Sequence, residues 1–140
     1  MKTLVDSSAF AKRYIEESGS QEVDDLLQSA SELGLSVICV PEIVSALNRS
    51  VRERRLPARD YATAKGRLAE DVADATVVNL TPGVISRATH LLESHPLRAM
   101  DALHVACALE WGADLFVSCD DRQLSAARRA GLRTKKVPTG

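Results

Sequence analysis

The chain has 140 residues, 45% of them hydrophobic and 26% charged, with 7 Gly and 5 Pro, the balance expected of one compact domain over residues 1–140. No apolar run approaches the roughly 18 residues needed to cross a bilayer. The opening Met1-Lys2-Thr3-Leu4-Val5-Asp6 puts an acid where a secretory leader needs its apolar stretch, so the expectation is a cytoplasmic protein with no membrane segment.

Cys39, Cys107 and Cys119 form neither a C-x-x-C pair nor a Cys/His zinc spacing and are expected to be reduced core residues. Net charge is −1, which excludes a strongly basic nucleic-acid coat, yet the charge is segregated. Residues 1–32 carry 3 basic and 7 acidic groups, residues 49–67 carry 7 and 2, and residues 122–140 carry 6 and 0. The two basic stretches suit a phosphate backbone, or are simply solvated helix faces and a tail. With only 5 aromatics, a surface that stacks bases on rings is not expected.

In chain order, Leu4-Val5 predict a short strand ending at Asp6, and Ser7-Ser8 open a helix carrying Phe10, Ala11, Tyr14 and Ile15. A turn at Glu17-Ser18-Gly19-Ser20 starts a second helix through Val23, Leu26-Leu27 and Ala30. Leu35 to Val40 read as a buried strand, and Pro41 suits the first position of a helix that runs into Arg49, Arg52, Arg54 and Arg55 before Leu56-Pro57 breaks it. A further helix is predicted over roughly 58–73, a strand over 75–80, and a helix from Thr81-Pro82 to about His95-Pro96. Then come a helix over 99–110 stopped by Gly112, a strand over 114–118, a helix over about 121–130 stopped by Gly131, and a strand near 133–137. This alternation predicts an α/β protein with a parallel sheet covered on both faces. No glycine-rich phosphate loop and no internal repeat is present.

Ligands of open α/β sheets bind outside the carboxyl ends of the strands, and acids fall at those junctions. Asp6 ends the first strand, Glu42 opens the helix after the second, and Asp120 ends the strand over 114–118. Asp101 lies in a helix where nine of the eleven residues from Ala99 to Leu109 are apolar, so its carboxylate needs a partner, a proton or a metal. Each acid also has a simpler role. Asp120 with Gln123 fits a capping box, Glu42 a favourable first-turn charge, Asp6 a cap on the Ser7-Ser8 helix, and Asp101 an ion pair with Arg98 or His104. His104 itself is expected to be a partly buried helix residue.

A parallel sheet brings these junctions together, and two carboxylates about 5 Å apart repel by roughly 3 kcal/mol at an effective dielectric of about 20. Such a cluster keeps protons or recruits a divalent ion. The oxygen donors favour Mg²⁺, which retains several waters, over zinc or copper. Asp121 is a fifth acid, expected to be a solvated first-turn residue within reach of the metal through water.

Four blocks of sequence, Leu4-Val5-Asp6-Ser7-Ser8-Ala9-Phe10-Ala11-Lys12, Val40-Pro41-Glu42-Ile43-Val44-Ser45-Ala46-Leu47, Arg98-Ala99-Met100-Asp101-Ala102-Leu103-His104-Val105-Ala106 and Val117-Ser118-Cys119-Asp120, resemble the PIN-domain ribonucleases, specifically VapC-type toxins. The resemblance covers essentially the whole chain. It implies a three-layer α/β/α PIN-like domain with a central parallel sheet, and a Mg²⁺- or Mn²⁺-dependent endoribonuclease whose catalytic and metal-binding acids are Asp6, Glu42, Asp101 and Asp120. It further implies supporting hydroxyls at Ser8 and Ser118. Because Asp120 and Asp121 are adjacent, the fourth role could be shared or displaced by one residue, and the alignment of Ser118-Cys119-Asp120 favours Asp120.

On that basis Asp6 and Asp101 are expected to touch the metal. Glu42 and Asp120 would orient its waters or complete a second site, one of them accepting the proton of the attacking water. The products implied by the family are 5′-phosphate and 3′-hydroxyl ends. Arg49, Arg52, Arg54 and Arg55 are the candidate RNA contacts, to phosphates rather than bases, or a partner surface. The resemblance also implies a homodimer and a cognate VapB-type antitoxin whose tail crosses the active-site groove.

Competing readings are a noncatalytic RNA- or protein-binding module of the same fold, and a PIN nuclease of general RNA processing. An aspartyl-phosphate phosphatase needs a second Asp two residues after Asp6, where Ser8 stands, and a receiver needs a paired acid and a late lysine. A Ser/His hydrolase needs a G-x-S-x-G elbow that the chain lacks.

Overall fold

A computed structural model describes residues 1–139; Gly140, the last residue of the expected domain, lies outside the described residues. The strands are β1 (Lys2–Val5), β2 (Glu32–Ser36), β3 (Thr76–Val78), β4 (Leu115–Ser118) and β5 (Arg133–Lys136). They form one sheet in the order β3-β2-β1-β4-β5, every neighbouring pair parallel. The helices are α1 (Ser7–Phe10), α2 (Ser20–Ser29), α3 (Cys39–Arg52), α4 (Ala58–Ala73), α5 (Pro82–Ser94), α6 (Ala99–Trp111) and α7 (Asp121–Arg129), with a 3-10 turn at Ala11–Arg13.

Alternation along the central strands divides the core into two layers. Val5, Leu35 and Val117 pack with Phe10, Ile43, Leu47 and Leu68 on the α1–α4 side. Leu4 and Phe116, their neighbours in sequence, pack with Val84, Leu91, Val105 and Leu124 on the α5–α7 side. The sheet is thus the middle of an α/β/α sandwich. All three cysteines are buried and free, as expected of core thiols. No helix among the described residues is long and apolar enough to cross a membrane.

The segment 35–40 departs from expectation. Pairing with β1 places Lys2 opposite Glu32 and Leu4 opposite Gly34, so β2 ends at Ser36 and Cys39 and Val40 already belong to α3. Pro41 is therefore the third helical residue rather than the first. This is tolerated because the first four helical N–H groups have no intrahelical acceptor, so a missing one forfeits nothing. The early strand start also uses Gly34 for close approach, since a Cβ there would stand 2.5 Å from the Trp111 ring on α6. Gly112, at φ +77°, closes α6 in the left-handed region as its sequence position suggests.

From β1 the chain builds outward through β2 to β3, then returns across the sheet to β4 on the other side of β1. The reversal lies between β1 and β4, and the crevice beyond their carboxyl ends is where such a sheet binds ligands.

Candidate active site

Asp6 follows β1 directly at that crevice. Its backbone N–H continues the ladder to Val117 of β4 at 3.0 Å, and its side chain caps α1 by accepting from Ala9 N at 3.0 Å. The capping role read from sequence is real, but it does not use up the carboxylate. Ser8 Oγ lies 2.8 and 2.9 Å from the two oxygens of Asp6, and Ser118 Oγ donates at 2.7 Å. Those hydroxyls in turn accept from the backbone, Ser8 from Cys119 N at 3.2 Å and Ser118 from Asp120 N at 2.9 Å. Two N–H-to-hydroxyl-to-carboxylate relays thus fix Asp6 to the β4–α7 junction. Ser8 has one hydrogen for two oxygens, so one acceptor site of Asp6 stays open.

Asp6 is only 1% exposed. Burial pushes its carboxyl above the ordinary aspartate range, against the lowering effect of nearby His104 and of the hydrogen bonds from Ser118, Ala9 and Ser8.

Around it stand the other three acids. Asp6, Glu42, Asp101 and Asp120 line one cavity of about 330 Å³, with Ser7, Ser8, Arg98, His104, Cys119, Gln123 and Thr139 completing its wall. Glu42, in the first turn of α3, receives Ser7 Oγ at 2.7 Å and lies 2.6 Å from His104 Nε2, both through Oε1. Burial raises the Glu42 carboxyl, but the hydrogen bonds from His104 and Ser7 with the charges of His104 and Arg98 outweigh it, leaving it below the ordinary glutamate range. A carboxylate only accepts, so His104 presents a protonated Nε2 to it.

Asp101 sits in the first turn of α6, its side chain 14% exposed and paired with Arg98 Nε at 3.1 Å, the ion pair anticipated from sequence. Gln123 Nε2 donates to its other oxygen at 3.1 Å. Asp120 caps α7 by accepting from Arg122 N at 2.9 Å. The second half of the expected capping box is missing, because the Asp120 N–H already goes to Ser118 and the Gln123 amide turns instead to the acids.

Of the residues that line this cavity, Ser7, Arg98, His104, Cys119, Gln123 and Thr139 were not singled out from sequence as site residues. His104 is 1% exposed rather than partly buried, and its Nε2 points into the cavity wall. Its signal was present, since it stands three residues after Asp101 and so returns to the same helical face. Ser7 and Gln123 sit one and three residues from acids, offsets that capping explains equally well.

Two expectations move away from the pocket. Asp121 is absent from its wall and pairs with Lys136 at 3.0 Å, because a first-turn residue next to the cap points outward while the cap itself points in. Arg49, Arg52, Arg54 and Arg55 are all exposed and none lines the cavity. At about 1.5 Å per residue, Arg49 is roughly 10 Å along α3 from Glu42 and Arg52 roughly 15 Å. Arg55 is paired with Glu53 at 2.6 Å, and Arg54 takes φ +60° in the turn that ends the helix.

A PIN-domain family model matches residues 3–129 of this chain. The chain is 35% identical over 130 residues to two Mycobacterium tuberculosis proteins, ribonuclease VapC45 and ribonuclease VapC49, an alignment spanning 91% of this chain and 90% of each relative. The chain therefore belongs to the PIN-domain family, among its VapC-type members. Solved structures share the fold at lower identity. VapC20 of M. tuberculosis, described as a toxin that cleaves the sarcin-ricin loop, superimposes with a TM-score of 0.68 at 19% identity over 93% of this chain and 95% of its own. VapBC2 of Rickettsia felis, solved with a fragment of promoter DNA, gives 0.69 at 10% identity over 99% and 100%.

Proposed function

We propose that this protein is a divalent-metal-dependent endoribonuclease that hydrolyses RNA phosphodiester bonds at the pocket formed by Asp6, Glu42, Asp101 and Asp120, and that it acts in the cytoplasm as the toxin of a toxin–antitoxin pair. The observation that carries the reading is Asp6, a carboxylate buried at the sheet's switch point, with only neutral donors bonded to it, facing three further acids. Among the described residues Arg98 is the one arginine or lysine in the wall, and it already serves Asp101, so the pocket has a deficit of positive charge.

The donor set fits Mg²⁺ or Mn²⁺. The acids offer hard oxygens, and one acceptor site of Asp6 is open. The cavity is wide enough for an ion that keeps its waters, at about 30 Å³ per water. Among the described residues no group of three His, Cys, Asp or Glu side chains forms a metal cage; Mg²⁺ needs only one or two carboxylates with its own hydration. When bound, such an ion supplies charge stabilisation at the scissile phosphate and a water that ionises near neutral pH.

The chain's own groups then divide the work. Asp6 and Asp101 supply the charge that holds the cation. Glu42, kept ionised by Ser7 and His104, holds charge rather than taking up a proton. Asp120 accepts the proton of the attacking water. Arg98, with its side chain 85% exposed, reaches out of the pocket toward a neighbouring phosphate. Arg49, Arg52, Arg54 and Arg55 extend the path for the RNA backbone.

The same negative pocket would accept a positive side chain from the tail of a VapB-type antitoxin. Ile85 and Leu92, exposed and seven residues apart on one face of α5, support a homodimer. Incubating a structured RNA pool with Mg²⁺, with Mn²⁺ and with chelator tests the catalytic claim. Metal-dependent cleavage lost in Asp6→Asn and Asp101→Asn supports it. Wild-type rates in either variant would show that the acids are not the catalyst.

A second reading has its own support, because Asp6 and Asp120 do cap helices and Asp101 does pair with Arg98. In a noncatalytic binding module these roles would suffice, and the protein would bind RNA or a partner without any metal-dependent change. A general RNA-processing nuclease would share the chemistry but lack an adjacent short gene for a DNA-binding antitoxin.

A further inference from the structure

Gln123 lies on the buried stripe of α7 beside Leu124, Ala126 and Ala127, and is itself only 3% exposed. An apolar residue would be the cheaper occupant. Its amide nitrogen donates to Asp101 Oδ1 at 3.1 Å and reaches Asp120 Oδ2 at 3.4 Å, while its Oε1 is buried with no hydrogen-bond partner. Among the described residues one other buried side-chain atom is stranded in this way, Nδ1 of His104 in the wall of the same cavity. Stranding a buried acceptor is costly, and native folds concentrate such costs where function demands them. Helix capping does not explain the amide, since the Asp120 N–H that a capping glutamine would serve is bonded to Ser118.

Resting on the nuclease reading, we propose that Gln123 is a positioning residue that spans Asp101 and Asp120, holding Asp101 in the orientation a divalent cation needs and Asp120 beside it for the attacking water. A carboxylate only accepts, so both acids must face the NH₂ end, and that fixes which end of the amide is left unpaired. The two N–H bonds of one planar group diverge at a set angle, so carboxylates from α6 and from the β4–α7 junction are tied through a single rigid atom. A neutral donor is the right chemistry for this task. Lysine or arginine at the same place would draw the acids together equally well, but would neutralise the charge that attracts the cation.

Gln123→Met removes both N–H donors and the stranded oxygen while keeping chain length and helix propensity. The test compares it with the parent by calorimetric Mn²⁺ titration, by melting in chelator, and by RNA cleavage across a Mn²⁺ series. The expected result is Mn²⁺ affinity weakened by about 10–100-fold, a melting temperature in chelator no lower than the parent's, and cleavage restored by raising Mn²⁺. A structural role would instead lower the melting temperature and leave a defect that added metal does not repair. Equal affinity in variant and parent overturns this inference and leaves the nuclease reading standing, whereas a parent that takes up no Mn²⁺ brings down both. Should the variant fail to fold, the parent alone decides by NMR. The Gln123 side-chain amide signals shift with Mg²⁺ along the parent's own binding curve, and signals that do not move contradict the proposal.

Discussion

The acidic pocket gathers residues from position 6 to position 120 into one crevice, whereas the arginines at 49, 52, 54 and 55 are neighbours in sequence that the fold leaves exposed in the last turn of α3 and just beyond it. The pocket is expensive. It buries a carboxylate, strands two polar atoms and brings like charges together. The arginine turn costs little, because its charges stay in water. That difference separates a site with one exacting task from a surface with a diffuse one, and it sets the scale of what each should lose on mutation.

The largest effects belong to the pocket. Asp6→Asn and Asp101→Asn should each lower RNA cleavage by at least about 100-fold, by analogy with removal of one preorganised electrostatic group. Asp120→Asn, as loss of the proton acceptor, should cost about 10²–10⁴-fold in kcat with KM little changed. A KM effect alone would move Asp120 from proton transfer to binding. Arg98→Ala should come next, with a several-fold fall in kcat/KM, because the side chain meets the substrate from solvent.

Smaller losses are expected at the arginine turn. Arg49→Ala or Arg52→Ala should weaken binding of every RNA sequence alike and flatten the salt dependence by about 0.7 in log–log slope per lost single-strand phosphate contact. An unchanged slope would make this surface a partner interface rather than an RNA track.

Much of the pocket was legible because its chemistry sits at strand ends. Asp6, Glu42 and Asp120 were placed by junctions, Asp101 by an acid among apolar neighbours, and all four line the cavity. What periodicity could not supply was direction across elements. Residues 35–40 look like strand by composition, and only pairing with β1 shows that the strand ends at Ser36. Asp120 and Asp121 are equivalent as letters, yet one caps α7 toward the crevice and the other faces Lys136. Gln123 fits a capping box on paper and becomes a bridge only because Ser118 reaches the Asp120 N–H first. The arginines announced themselves by clustering, but clustering says nothing about distance from Glu42.

The smallest expected effect is in acid stability, and its sign differs between the two inner acids. Glu42 is held below its ordinary range, so its ionised form stabilises the fold above that range, and the contribution is lost as pH falls through the depressed value. Glu42→Gln should therefore narrow its stability gap to the parent on acidification, as read by denaturation at stepped pH. Asp6 is raised, so it binds its proton more tightly folded than unfolded. Its ionisation destabilises the fold progressively as pH rises from the ordinary aspartate range through the raised value, and the full cost is present above it.

That standing cost gives the most direct test of whether the pocket exists to hold a cation. The measurement is the melting temperature of the parent and Asp6→Asn at pH above the raised value, in chelator and then in Mn²⁺. In chelator the variant should melt no lower than the parent, because a buried charge has gone. Mn²⁺ should then raise the parent and leave the variant still, since only a ligand bound to the folded state stabilises it, and the order should reverse. A variant that melts well below the parent in chelator, with neither protein responding to Mn²⁺, would mean that Asp6 is a structural cap and that the pocket was not built for a metal.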